Sequence, residues 1–379
     1  MKPKRTINLL FMIDHLVAAG GGEGALVKIL RLLPRDRFRY SVVTLKWAIG
    51  PDILRSLPCP AHSFELDRTY SWKALQTAYA IRRLIRSENV DIVHTFFETS
   101  NTWGGIVAKL SGAPRLVSSR RDMGILQSPK HRLAYRVINR ICDRVLTVSE
   151  MVRRQCVEGE HIDPAKVVRI YNGMEFEQVA AVREAADLTS LGIPADAPVI
   201  TTVANIRPVK GIDIFIRAAA LVLREFPQTY FLVVGAVNEP DTAAELLQLA
   251  RSLAIENNVK FSGLRDDVLQ ILRRSKVFCM LSRSEGFSNA VLEAMASEVP
   301  CVVTRVGGNP EAIDEGVTGY LVPSEDFAAA ADRITYLLRN PEQAARIGRA
   351  AREVVRTRFS SERMISDLTQ FYESLVETP

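Results

Sequence analysis

What this chain lacks narrows the field before any motif is read. Its 379 residues hold five cysteines, and no two form a Cys-x-x-Cys pair. Cys59, Cys142, Cys156, Cys279 and Cys301 are therefore expected as free thiols in a reducing compartment, those at 279 and 301 inside buried strands. The five histidines are scattered, so no zinc site is expected. There is no run of about 18 consecutive apolar residues, which argues against a transmembrane helix. Glycine (21) and proline (18) are too few for low-complexity segments. Aromatic residues make up 7%, and no zinc finger or aromatic-studded RNA-binding motif accompanies the basic stretches, so nucleic acid is not an expected partner. The basic start at Met1-Lys2-Pro3-Lys4-Arg5 leads into an apolar run over 7–13. Asp14 and His15 break that run and no small-residue cleavage site follows, so it reads as a strand and not a signal peptide.

What is present is a globular composition, 47% hydrophobic and 24% charged. A chain of this length favours two domains. Charge agrees: residues 1–180 carry a net +11 and residues 181–379 a net −5, a split that suits two domains with different partners. The basic excess gathers at Arg82, Arg83 and Arg86 and again between Arg115 and Arg154. Over 130–140 the spacing predicts an amphipathic helix, with Arg132, Arg136 and Arg140 in one stripe and Leu133, Val137 and Ile141 in the next. That pattern suits a solvated helix face packed on a core. It also suits contact with an anionic surface, either a lipid head-group layer or a phosphorylated acceptor.

Short β-branched runs alternate with helical segments. Strands are expected over 7–13, 40–45, 92–95, 116–119, 144–148 and 167–170, with helices such as 24–33, 72–87 and 104–110 between them. The alternation pauses at Asn172-Gly173, a strong turn signal, and a polar stretch over 175–197 reads as a linker region. It restarts with strands over 199–203, 230–234, 259–261, 277–281, 301–304 and 319–322. The chain closes in helices from about 341 to 377. The pattern predicts two doubly wound α/β domains in tandem, with ligands at the carboxyl ends of the strands.

Four motifs sit at such ends. Gly20-Gly21-Gly22-Glu23-Gly24 follows the first strand and opens a helix, where glycine lets backbone approach an anion. Gly20, Gly22 and Ala25 also fit a dinucleotide fingerprint loosely, but the second strand ends in Lys46 instead of an acid, which argues against that reading. In the second motif, Asn205-Ile206-Arg207-Pro208-Val209-Lys210-Gly211-Ile212-Asp213, two cations follow a strand and Asp213 is placed to cap a helix. Such a pair suits a diphosphate, Arg as a planar fork and Lys as a point charge; it also suits a solvated turn. The third is Ser284-Glu285-Gly286-Phe287-Ser288-Asn289-Ala290-Val291-Leu292-Glu293, with Ser288 or Asn289 capping a helix and Glu293 just over one turn inside it. A phosphate at the helix tip and a ribose beside Glu293 would span a similar distance. The fourth is Gly307-Gly308-Asn309-Pro310-Glu311, another glycine turn.

Taken together these residues resemble the family-4 retaining glycosyltransferases of the GT-B fold, two Rossmann-like domains facing each other across a cleft. Residues 285–296, with Glu285 and Glu293 separated by seven residues, are similar to that family's signature, and 205–213 to its phosphate loop. Asn172-Gly173, the Gly307 turn and Gly316-x-x-Gly319 resemble further family turns. The resemblance implies a glycosyltransferase whose co-substrate is a nucleotide-diphosphate sugar, with no other cofactor. It implies an acceptor-side domain over 1–180, completed by a helix over 362–379, and a donor-binding domain over 195–361. Arg207 and Lys210 would hold the diphosphate, with Asn205 in the same loop. Glu293 would accept the ribose hydroxyls and Glu285 would touch the donor sugar. Gly286, Phe287, Ser288 and Asn289 would offer backbone N–H groups, and Gly21 and Gly22 would close on the phosphates. Arg207, Lys210 and Glu285 are the residues expected to carry the chemistry. The chain has no Asp-x-Asp, the usual metal-diphosphate handle, so metal independence is expected. The acceptor would be a saccharide or a lipid-linked one, in cell-envelope or exopolysaccharide synthesis. The expected location is the cytoplasm, with an anionic membrane surface as a partner of the basic half. Where many relatives carry an acceptor-side histidine this chain reads Ser119-Arg120-Arg121, which points to an anionic acceptor. His94 is expected near the same rim, or as a satisfied histidine at a strand end.

Overall fold

The computed structural model describes residues 5–16, 21–46, 49–124, 129–237 and 239–377. The chain divides into two compact units, residues 1–172 with 362–379 and residues 173–361.

In the first unit, β1 (Ile7–Ile13), β2 (Phe38–Thr44), β3 (Ala61–Ser63), β4 (Ile92–Phe96), β5 (Arg115–Arg120), β6 (Arg144–Thr147) and β7 (Val167–Arg169) form a sheet in the order β3-β2-β1-β4-β5-β6-β7. Every neighbouring pair is parallel. A parallel sheet is covered on both faces, so its central strands are continuous apolar runs; in β1 every residue but Asn8 is buried. The helices are α1 (Gly21–Leu32), α2 (Pro51–Ser56), α3 (Trp72–Ser87), α4 (Gly105–Leu110, entered through a π-turn over Ser100–Gly104), α5 (Pro129–Ile141) and α6 (Glu150–Arg154). The crossovers through α3, α4 and α5 all move along the sheet toward β7. Right-handedness therefore puts these three helices on one face and α1 and α2 on the other.

In the second unit, β8 (Val199–Val203), β9 (Tyr230–Val234), β10 (Val259–Gly263), β11 (Val277–Met280), β12 (Cys301–Thr304) and β13 (Tyr320–Val322) form a parallel sheet in the order β10-β9-β8-β11-β12-β13. Its helices are α7 (Phe176–Ala181), α8 (Ile212–Val222), α9 (Pro240–Ser252), α10 (Val268–Arg274), α11 (Asn289–Ala296), α12 (Asn309–Ala312), α13 (Phe327–Arg339) and α14 (Pro341–Arg358). The last helix, α15 (Ser361–Glu377), belongs almost wholly to the first unit. Its Leu368 and Tyr372 join Leu26 and Ile29 of α1 and Phe11 of β1 in one apolar cluster.

Strand order reverses between β1 and β4 in one sheet and between β8 and β11 in the other. At such switch points the loops leave in opposite directions and open a crevice at the strands' carboxyl ends. All five cysteines are free thiols, and all but the half-buried Cys59 are buried. Among the described residues no helix is long and apolar enough to cross a membrane.

Candidate functional site

The second unit's switch point gathers the motif residues that follow β8 and β11. After β8 the chain passes Asn205 and Arg207 and tightens into a 3₁₀ turn over Pro208–Lys210 that ends at Gly211. Gly211 has φ +62°, and a Cβ there would stand 2.0 Å from the Leu281 carbonyl oxygen. Only glycine allows this turn to press against the end of β11. Lys210 Nζ then donates to Glu285 Oε1 at 2.8 Å, and Ser282 Oγ donates to the same oxygen at 2.7 Å. The Glu285 side chain is 8% exposed and that of Lys210 27%. The pair is thus tucked in yet reachable on the lysine side.

The loop from Ser282 to Ser288 is held by backbone. Gly307 has φ +51°, and a Cβ there would lie 1.6 Å from the Glu285 carbonyl oxygen. The Gly308 N–H donates to the Gly286 carbonyl at 3.0 Å, and Thr304 Oγ1 to that of Ser282 at 2.6 Å. Ser288 caps α11, its Oγ accepting from the Val291 N–H at 3.3 Å. Phe287 is buried with its ring 5.2 Å from that of Phe359, so its side chain is core. Asn289 opens α11 and Glu293 lies one turn further in; both are half-buried. Asn205 is exposed, its Oδ1 accepting from the Ala236 N–H at 3.1 Å. Arg207 is exposed and makes no ion pair among the described residues.

Asp213 does not cap α8, whose N-cap is Gly211 with no side-chain bond. Its carboxylate instead takes a two-pronged contact from Arg283 at 2.9 and 2.7 Å. Burial raises the Asp213 pKa, but the Arg283 hydrogen bonds outweigh it and the net shift is downward. Arg283 also donates to the Pro208 carbonyl at 2.6 Å, tying the two loops together. Sequence reading passed over this residue, although a third cation two positions before Glu285 was a usable signal.

In the first unit, Gly21 and Gly22 open α1 at the β1/β4 switch point, while Gly20 lies outside the described residues. Gly22 packs on the Phe97 ring, and a Cβ on it would stand 3.4 Å from Arg121 Nε. Phe97 itself has φ +67° and stacks on His15 with ring centres 5.2 Å apart, a contact the sequence did not suggest. Arg121, just past β5, is half-buried and donates to Asn172 Oδ1 at 2.6 Å. Burial lowers its pKa to about 10.

Arg120 is a correction, and of the two readings of His94 the satisfied histidine holds: neither residue lies on a rim. His94 is fully buried, with Nδ1 2.7 Å from the Tyr372 hydroxyl and Nε2 2.8 Å from Ser119 Oγ. Burial, then the nearby Arg121 charge, lower its pKa to about 3, so it is neutral. Arg120 is 4% exposed, with Nη2 2.8 Å from Asn139 Oδ1 and its guanidinium carbon 4.0 Å from the Tyr135 ring centre. Alternation along β5 turns it inward under α5.

Comparison with known proteins gives this architecture a family. Residues 19–178 match the model for Glycosyltransferase Family 4, and residues 184–354 that for Glycosyl transferases group 1. The chain belongs to the family-4 glycosyltransferases: it has the GT-B fold and is an enzyme that uses a nucleotide-sugar donor. Among its relatives, the N-acetyl-alpha-D-glucosaminyl L-malate synthase of Bacillus anthracis is 32% identical over 305 residues, 79% of this chain and 78% of that one. The UDP-Gal:alpha-D-GlcNAc-diphosphoundecaprenol alpha-1,3-galactosyltransferase of Escherichia coli is 25% identical over 324 residues, 80% and 82% of the two chains. The crystal structure of Anabaena HepE with UDP-glucose superposes with a TM-score of 0.83 over 97% of this chain and 99% of its own, at 22% identity.

Proposed function

We propose that this enzyme moves a sugar, with retention of configuration, from a uridine diphosphate sugar to a saccharide or lipid-linked acceptor that carries negative charge. Its place would be cell-envelope or exopolysaccharide glycan synthesis, in the cytoplasm. The observation that carries the reading is the Lys210–Glu285 pair at 2.8 Å, with Arg207, which makes no ion pair among the described residues, three residues earlier in the same turn. As the bond from the sugar to the diphosphate breaks, negative charge grows on the departing oxygen. Cations at that end, Lys210 held by its bond to Glu285, stabilise that charge better than water, which must reorient. In this reading Arg207 and Lys210 meet the diphosphate and Lys210 holds the Glu285 carboxylate toward the donor sugar. Glu293 accepts the ribose hydroxyls, and the backbone from Gly286 to Asn289 supplies N–H donors. With the leaving charge met by side chains, no divalent ion is required. The uridine assignment is supported by the UDP-Gal in the name of the Escherichia coli relative and the UDP-glucose bound by HepE. The anionic acceptor is supported by Arg121, and by the malate and the diphosphate in the names of two relatives.

Thermal-shift screening of UDP, GDP and ADP tests the donor side: UDP raises the melting point most, and Arg207→Ala reduces that rise. Transfer assays then show UDP released only with acceptor present, with turnover intact in EDTA. If no nucleoside diphosphate shifts the melt, or if magnesium or manganese restores turnover that EDTA removed, the reading is wrong.

A further inference from the structure

The face of the first unit that carries α3, α4 and α5 has a composition the glycosyl transfer does not use. None of the three helices contains an acidic residue. On α3 the buried positions are Ala74, Thr77, Ile81 and Ile85. At 100° per residue, the opposite arc holds Trp72, Leu75 and Tyr79 in its first half and Arg82, Arg83 and Arg86 in its second. The three apolar side chains are 74%, 62% and 72% exposed. On α5 the buried side is Tyr135 and Ile138, and the exposed arc carries Arg132, Arg136 and Arg140 beside Leu133 and Val137. The apolar stripe of α5 thus faces solvent rather than the core, 63% exposed at Leu133. Helix α4 packs against both neighbours and ends in Leu110, 76% exposed. Not one of the six arginines makes an ion pair among the described residues.

From this we propose that the α3–α4–α5 face docks on an anionic phospholipid bilayer. Arginine heads would pair with lipid phosphates while Trp72, Leu75, Tyr79, Leu110 and Leu133 enter the interface between head groups. Charge decides the occupant. A second copy of this chain would set one wholly basic face against another, and the phosphates of a polar partner offer nothing to three exposed leucines. Trp72, Leu75 and Leu133 lie in the first two turns of their helices. These turns sit at the carboxyl-end rim of the sheet, where Arg121 follows β5, whereas Leu110 and the arginines of the last turns lie toward the opposite end, so the helices dock along their length. The inference goes beyond the proposed reaction and its test reads no catalysis.

The experiment is flotation of the full chain with phosphatidylcholine vesicles and with vesicles that also contain phosphatidylglycerol. Partitioning is expected to be at least about tenfold stronger with the anionic lipid and to weaken as salt is raised. Trp72→Ala/Tyr79→Ala lowers it by about tenfold while the salt dependence remains. Arg132→Glu/Arg136→Glu/Arg140→Glu removes the preference for the anionic vesicles. All these positions are exposed, so melting temperatures should stay at the wild-type value and report intact folding. Equal partitioning into both kinds of vesicle would overturn the proposal, as would anionic binding that neither variant changes. So would a dimer in sedimentation velocity that Trp72→Ala/Tyr79→Ala dissociates.

Discussion

The two sheets solve the same problem with different materials. At the β8/β11 end, loops are fixed by backbone: Gly211 against the Leu281 carbonyl, Gly307 against that of Glu285, and an N–H from Gly308 to Gly286. The side chains there are left at the edge: Arg207 is exposed, and Lys210 is 27% exposed while paired with Glu285. At the β1/β4 end, fixing is done by buried polar side chains. Asp14 accepts from the Thr99 and Ser100 N–H groups at 2.9 and 2.6 Å, Asn101 reaches the Ser119 carbonyl at 2.8 Å, and His94 bridges Ser119 and Tyr372. Backbone fixing leaves side chains available for chemistry, whereas side-chain fixing consumes them. Side-chain changes in the second unit should therefore act on turnover first, and side-chain changes in the first on stability.

The largest effect that sharpens this contrast is Lys210→Ala. Removing a preorganised charge from a developing anion costs on the order of a hundred- to a thousandfold in turnover. Because Glu285 is only 8% exposed, losing its cation partner also costs stability, so the melting temperature should fall by several degrees while the protein stays folded at the assay temperature. Steady-state rates and a melt on the same sample check both halves. Turnover within a factor of about two of wild type would break the comparison.

Next comes Gly307→Ala, set against Gly21→Ala. Both positions have positive φ, +51° and +54°, so both carry left-handed strain of about 1–2 kcal/mol once a Cβ is added. A Cβ on Gly21 would meet no atom within 4 Å among the described residues, whereas at Gly307 the added carbon falls 1.6 Å from the Glu285 carbonyl oxygen. Gly307→Ala must displace the Glu285 loop and should cost about 3 kcal/mol or more, with activity lost. Gly21→Ala should stay near the strain value. Urea midpoints separate them, and equal midpoints would mean that the β8/β11 end is not held by close backbone approach.

The same contrast explains what the sequence could reveal. Strands over 199–203, 230–234 and 301–304 appear in the structure with the expected bounds, because buried parallel strands are unbroken apolar runs between turn residues. The edge strand Ala61–Ser63 was invisible: it is three residues long, partly exposed and without a pattern. Glycine turns are legible because their cause is local. The Lys210–Glu285 pair was not, because the two residues lie 75 apart and only the adjacency of β8 and β11 joins them. Arg120 was misplaced, and His94 left between two readings, for the same reason. A histidine at a strand end looks the same whether it faces solvent or meets Tyr372, 278 residues later.

The smallest effect probes that buried network through pH. The folded-state pKa of His94 is lowered to about 3, because burial first and the Arg121 charge second disfavour the imidazolium. In the unfolded chain it returns to about 6.5. Between those values the unfolded state binds the extra proton, so this residue's share of stability is complete above about pH 6.5 and is lost as pH falls toward 3. Its slope is at most about 1.4 kcal/mol per pH unit. His94→Gln has no such proton to bind. It should be less stable than wild type by about 1–2 kcal/mol at neutral pH, through poorer bonding to Ser119 and Tyr372. The gap should close by about 1.6 kcal/mol on going from pH 6.5 to pH 5. Tyr372→Phe keeps the imidazole buried while removing one partner, so it should lose stability yet retain the wild-type slope. If the wild type and His94→Gln unfold with parallel pH profiles, His94 is charged or solvated in the fold, and the first unit is not held by a neutral buried network.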